Sequence, residues 1–129
     1  MNQFESMTAK YFKLWQTKNI EGLSKLFDDS ILLQDWDNLI RGKEAIIKFN
    51  IDFFNSVNLI ELNVVSSHCF ENTTFSELSI IIDGVKLTVL DKIVFKSSIS
   101  NLPSNLVITL DSEAILDAVP PKWNVLNVS

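Results

Sequence analysis

The first third of the chain repeats its apolar residues with a helical period. A stripe at spacings of three and four residues predicts a helix over residues 2–18; its members are Phe4, Met7, Tyr11, Leu14 and Trp15. Asn19 can cap a second helix, IEGLSKLF. ILLQDW (31–36) is typical of a short strand, DNLIRG of a loop, and KEAIIKFNIDFF (43–54) of a third helix.

From residue 57 onward the apolar residues alternate, which indicates strands. The predicted strands are NLIELNVVSSHCF (58–70), FSELSIIID (75–83), VKLTVLDKIVFKSS (85–98) and LVITLDSEAIL (106–116). Asp83-Gly84 is a strong hairpin signal between two of them. Three helices followed by a meander predict one α+β domain over residues 1–129. We expect the apolar tail 118–129 to pack on the sheet or on a partner.

The strand VKLTVLDKIVF carries an acid on an apolar face. Strand side chains alternate between faces, so Asp91 shares its side with Val85, Leu87, Val89, Ile93 and Phe95. A bulge or a loop hydrogen bond would make this acid purely structural. The alternative is a carboxyl group held in an apolar pocket, where desolvation raises its pKa and keeps it a neutral donor.

Other candidate groups come from the same kind of pattern. Asp35 ends the strand ILLQDW, and Tyr11 lies within the stripe of the first helix, where a tyrosine is usually core filler. His68 shares alternation with Ile60 and Leu62, which places it in the predicted pocket lining, although a bulge within SSHCF would turn it outward. We expect the rest of the lining to be apolar: Phe12, Trp15, Trp36, Phe49 and Val89.

Composition narrows the classes of function. The formal net charge is −5 and Arg41 is the single arginine, so the basic patch of a nucleic-acid-binding protein is not expected. One cysteine and one histidine cannot build a Cys- or His-rich metal site. The N-terminus lacks the features of a signal peptide and no apolar run matches a membrane helix, so we expect a cytoplasmic protein without membrane contact.

Residues 4–98 resemble the nuclear transport factor 2-like proteins, which include SnoaL-like polyketide cyclases and ketosteroid isomerases. The resemblance lies in KYFKLWQTKNIEGLSKLFDDSILLQDW, then RGKEAIIKF, and later DKIVF. It implies a cone-shaped, strongly curved antiparallel sheet wrapped around three N-terminal helices, with an internal apolar pocket. It also implies a homodimer through the outer face of the sheet, and no metal or other cofactor.

The resemblance to the isomerases further implies catalytic roles. Asp35 falls at the position of their proton-shuttling base, while Tyr11 and Asp91 fall at the two oxyanion donors, one of them an aspartic acid held neutral. The implied activity is enolisation of a small apolar carbonyl compound, steroid- or polyketide-like, by an isomerase or cyclase. Epoxide hydrolase relatives carry an arginine where Val89 stands, which disfavours that chemistry. The alternative is a non-catalytic domain that binds a small ligand or dimerises.

Overall fold

A computed structural model describes residues 2–34, 38–96, 107–110 and 125–128 of the chain. Three helices form close to the predicted places: α1 (Gln3–Gln16), α2 (Ile20–Leu26) and α3 (Lys43–Ser56). Asn2 and Glu5 close a reciprocal capping box at the start of α1, and the Asn19 side chain caps α2. None of the described helices has the length and apolar character needed to cross a membrane.

The described strands form a two-stranded hairpin and a larger sheet that is antiparallel except for its last strand. A small hairpin pairs β1 (Leu32–Gln34) with β2 (Leu39–Arg41), and the main sheet has the order β3-β4-β5-β6. Its strands are β3 (Ile60–Phe70), β4 (Thr73–Ile82), β5 (Val85–Lys96) and β6 (Val107–Leu110), with β7 (Val125–Val128) pairing in parallel with β5. The result is an α+β fold in which a curved, open sheet packs against three helices.

The turn between β4 and β5 is the two-residue hairpin turn that Asp83-Gly84 predicts. Asp83 and Gly84 both have positive φ angles, 49° and 85°, as a tight hairpin requires. The Asp83 carboxylate also accepts hydrogen bonds from the backbone N–H groups of Asn58 and Leu59, at 3.0 and 2.8 Å. These bonds hold the pKa of Asp83 below its usual value, and they tie the turn to the start of β3.

A lysine closes the end of α3. Lys18 lies between α1 and α2 with φ 57°, and its ammonium group donates to the carbonyl oxygens of Phe54, Val57 and Asn58 at 3.1, 2.5 and 3.1 Å. The last carbonyls of a helix have no partner within the helix, so a cation that bonds them stabilises the helix end. Lys18 therefore fixes α3 against the connection between the first two helices.

The core lies between the helices and the inner face of the sheet. α1 packs on β3 and β4, and α2 packs between α1 and α3. Fully enclosed side chains come from every layer: Leu23, Ile31, Ile46, Leu78, Ile93 and Phe95. A buried hydroxyl pair, Thr8 and Thr74, joins α1 to β4 with an oxygen–oxygen distance of 2.7 Å.

Two expectations from the sequence were wrong. The segment DNLIRG is not all loop, because Leu39–Arg41 forms β2 and pairs with β1. His68 does not line the pocket. The register of β3 shifts between Val64 and Ser66, so the alternation reverses and His68 pairs with the exposed Phe75 on the outer face.

Candidate functional site: an apolar pocket

A cavity of about 220 Å³ lies between the helices and the inner face of the sheet. Among the described residues its wall is apolar except for three side chains, one from each of α1, α3 and β5. Those three are Tyr11, Asn50 and Asp91. The apolar lining consists of Phe12, Trp15, Leu33, Phe49, Phe53, Leu62, Leu78, Ile80, Ile82, Leu87 and Val89.

Asp91 is enclosed at this wall. Its side chain lies on the inner face of β5, as the alternation predicts, and only 2% of the residue is exposed. Within the described part of the chain, Oδ1 is fully buried and has no hydrogen-bond partner. Burial raises the pKa of Asp91 well above its usual value, because a carboxylate loses its hydration there. The carboxyl group is therefore favoured in its neutral form, which carries an O–H donor.

Tyr11 is the second polar group of the pocket. It is 5% exposed on α1, and its ring contacts those of Phe12 and Phe27 at centroid distances of 5.6 and 6.2 Å. Burial, and to a lesser degree the charge of an ionised Asp91, raise the pKa of Tyr11 above its ordinary value. The phenol therefore stays protonated and can donate a hydrogen bond from the same wall.

Asn50 is a pocket residue that the sequence interpretation missed. It is 6% exposed on α3 and lies four residues after the enclosed Ile46 and three before the lining residue Phe53. Its Nδ2 donates to the carbonyl oxygen of Ile46 at 3.0 Å. The available signal was its position: an amide at an apolar stripe position of a helix is the same anomaly as an acid on an apolar strand face.

The sequence of the chain matches no protein-family model and no curated protein. Its structure resembles a Sinorhizobium meliloti protein inferred to be a polyketide cyclase, at TM-score 0.67 and 10% identity, covering 98% of this chain and 100% of that one. A Kribbella flavida protein inferred to be a ketosteroid isomerase gives TM-score 0.64 and 10% identity, with 98% and 78% covered. The chain has the nuclear transport factor 2-like fold.

This nuclear transport factor 2-like fold alone implies no activity. A de novo designed protein with a curved β-sheet also resembles the chain, at TM-score 0.61 and 12% identity, covering 95% of this chain and 97% of the designed one. Because one fold supports unrelated functions, the function of this chain depends on the pocket and its side chains.

The pocket brings together most of the candidate residues. Tyr11 and Asp91 line it together with the apolar Phe12, Trp15, Phe49 and Val89, and the Trp15 ring stacks on Phe53 at 5.6 Å. Asp35 and Trp36 lie outside the described residues. Within the described residues there is no cluster of acidic, His or Cys side chains that could hold a metal ion.

Proposed function

We propose that this protein binds a small apolar carbonyl compound and stabilises its enolate, as an isomerase or cyclase does. The observation that carries the proposal is the enclosed, unpartnered Asp91 Oδ1 at the wall of an apolar cavity. A buried polar atom without a partner destabilises the protein, and a ligand oxygen would satisfy the group. Tyr11, protonated at the same wall, supplies a second donor for that oxygen.

The chemistry follows from two neutral donors beside a carbonyl oxygen. A base removes a proton from the carbon next to the carbonyl, the electron pair of that C–H bond forms the C=C bond, and the carbonyl electrons move to oxygen. Donors already aimed at this oxygen stabilise the negative charge that develops on it. Returning the proton to a different carbon completes an isomerisation. We propose Asp35 as the base, on the resemblance of its position to the isomerases.

The size of the pocket limits the ligand. An engineered cavity of roughly 150 Å³ accommodates benzene, and the cavity here has a volume of about 220 Å³. The volume of this cavity is also smaller than the roughly 300 Å³ of the smallest pockets that bind drug-sized ligands. The volume therefore favours a compound with one or two rings, such as a cyclic ketone, over a four-ring steroid.

Binding of phenol tests the oxyanion site, because a phenolate mimics an enolate. We expect saturable binding of phenol by calorimetry, with clearly weaker binding in Tyr11→Phe and in Asp91→Leu. His68→Gln is the matched control, since His68 is exposed on the outer face of the sheet. Phenol binding that is absent, or equal in Asp91→Leu and the wild type, would reject the proposed site.

Turnover is tested by exchange of the α-protons of cyclopentanone and cyclohexenone in D₂O, followed by NMR. We expect exchange faster than in buffer alone, and its loss in Asp35→Asn with phenol binding retained. Phenol binding without any acceleration of exchange would reject the enzyme and support the non-catalytic ligand-binding domain. Exchange that survives unchanged in Asp35→Asn would reject Asp35 as the base.

A further inference from the structure

The orientation of the Asn50 amide is determined by chemistry. A main-chain carbonyl oxygen only accepts hydrogen bonds, so the amide atom that faces the Ile46 oxygen at 3.0 Å must be the nitrogen Nδ2. This bond runs back along α3 to the preceding turn and uses one of the two amide N–H groups. The carbonyl oxygen Oδ1 and the second N–H are the parts of the amide that remain for the cavity that Asn50 lines.

A purely structural role explains Asn50 poorly. Asparagine is among the weaker formers of helix interiors, and an apolar side chain would continue the stripe that includes Ile46. The bond to Ile46 involves only Nδ2, and the residue is 6% exposed at the wall of the cavity. A buried amide that is only partly bonded destabilises the fold unless another partner completes it.

We propose that Asn50 is a second polar anchor in the pocket and binds a hydroxyl group of the ligand through Oδ1. The inference rests on the proposed function, in which the carbonyl oxygen of the ligand is held by Asp91 and Tyr11. The two anchors come from different elements, Asn50 from α3 and Asp91 from β5, and apart from Tyr11 the other described side chains of the wall are apolar. The ligand is therefore a small cyclic compound with two oxygen functions, such as a hydroxy ketone, rather than a simple ketone.

The test compares phenol with catechol, resorcinol and hydroquinone, which add a second hydroxyl at three different angles. A neutral hydrogen bond formed in place of one to water corresponds to about three- to tenfold in affinity. We expect at least one of the three diols to bind the wild type tighter than phenol by this factor. In Asn50→Leu, which keeps the number and branching of the side-chain heavy atoms and removes the polar ones, we expect the ratio of the two affinities to fall to about one.

The matched control is Asn55→Leu, the same change at an exposed position of the same helix, which should keep the wild-type ratio. Asn50→Ala provides a second variant, and thermal unfolding verifies that each variant is folded. The inference is overturned if no diol gains over phenol, or if the gain persists in Asn50→Leu and Asn50→Ala. Phenol binding without a gain for any diol rejects the second anchor alone, whereas absence of phenol binding rejects the oxyanion site as well.

Discussion

Replacement of Asp91 by asparagine should change how the stability of the protein depends on pH. The carboxyl group is enclosed at 2% exposure, with its pKa raised well above the usual value by burial. In the unfolded chain the same group is solvated and loses its proton near pH 4. Folding above that pH therefore requires the uptake of a proton by Asp91 until the raised pKa of the folded state is reached.

The sign and size of the effect follow from this proton uptake. Above about pH 4 the folded state binds one proton more than the unfolded state, so the free energy of unfolding falls by about 1.4 kcal/mol per pH unit from this group. Asp91→Asn has no proton to take up. The stability of the variant minus that of the wild type should therefore be constant below about pH 4, rise with that slope above it, and level off once the pH passes the raised pKa of folded Asp91.

Urea unfolding followed by tryptophan fluorescence, at half-unit steps from pH 3 to 8, measures the difference. Asp83→Asn is the matched control, because hydrogen bonds from Leu59 and Asn58 lower the pKa of Asp83. Asp83 therefore stabilises the fold above its usual pKa and loses this effect as the pH falls through the lowered value, so its difference curve bends the opposite way. Parallel curves for Asp91→Asn and the wild type would refute a neutral, buried Asp91.

Three further changes test the fold around the pocket, each by urea unfolding. Lys18→Met should lower the free energy of unfolding by about 1.5–3 kcal/mol because three carbonyl oxygens lose a charged donor. Lys25→Met removes only an exposed ion pair and should change this free energy by no more than about 0.5 kcal/mol. Equal losses in the two variants would contradict the role of Lys18. Gly84→Ala should cost about 1 kcal/mol at φ 85°, although no atom lies within 4 Å of the added methyl group; no loss would contradict backbone strain. Thr8→Val should cost about 1–3 kcal/mol by leaving the Thr74 hydroxyl unpaired, and adding Thr74→Val should recover part of that loss; a purely additive double variant would contradict the buried pair.

The sequence pattern predicts the face on which a side chain lies where a strand is regular, and it fails where the strand is interrupted. The alternation along β5 predicts that Asp91 faces inward. The prediction holds because an unbroken ladder of pairs joins β4 and β5. The same reasoning failed for His68, because the register of β3 shifts before it and every later side chain changes face. A bulge depends on the pairing of two strands, which the alternation within one strand does not contain.

The pocket also shows why an inventory of apolar stripes missed Asn50. A stripe defined by apolar residues has a gap wherever a polar residue occupies a stripe position. Such a gap can mark a buried polar group, as it does at Asn50. The hairpin β1–β2 escaped notice for a different reason. Its strands have three residues each, too short for alternation to separate Leu39–Arg41 from a loop.

The buried polar groups among the described residues differ in how their hydrogen-bonding capacity is met. Outside the pocket wall these groups have side-chain partners: Thr8 bonds the buried Thr74 at 2.7 Å, and Ser76 bonds the exposed Ser67 at 3.0 Å. At the wall, Asp91 Oδ1 has no partner among the described residues, and the Asn50 Nδ2 donates to Ile46 within its own helix. Ser76 lies opposite Asp91 across the β4–β5 ladder, and its hydroxyl group bonds to Ser67. Asp91 and Asn50 both line the one cavity, and under the proposed function a ligand with two oxygen functions would bond to both of them there.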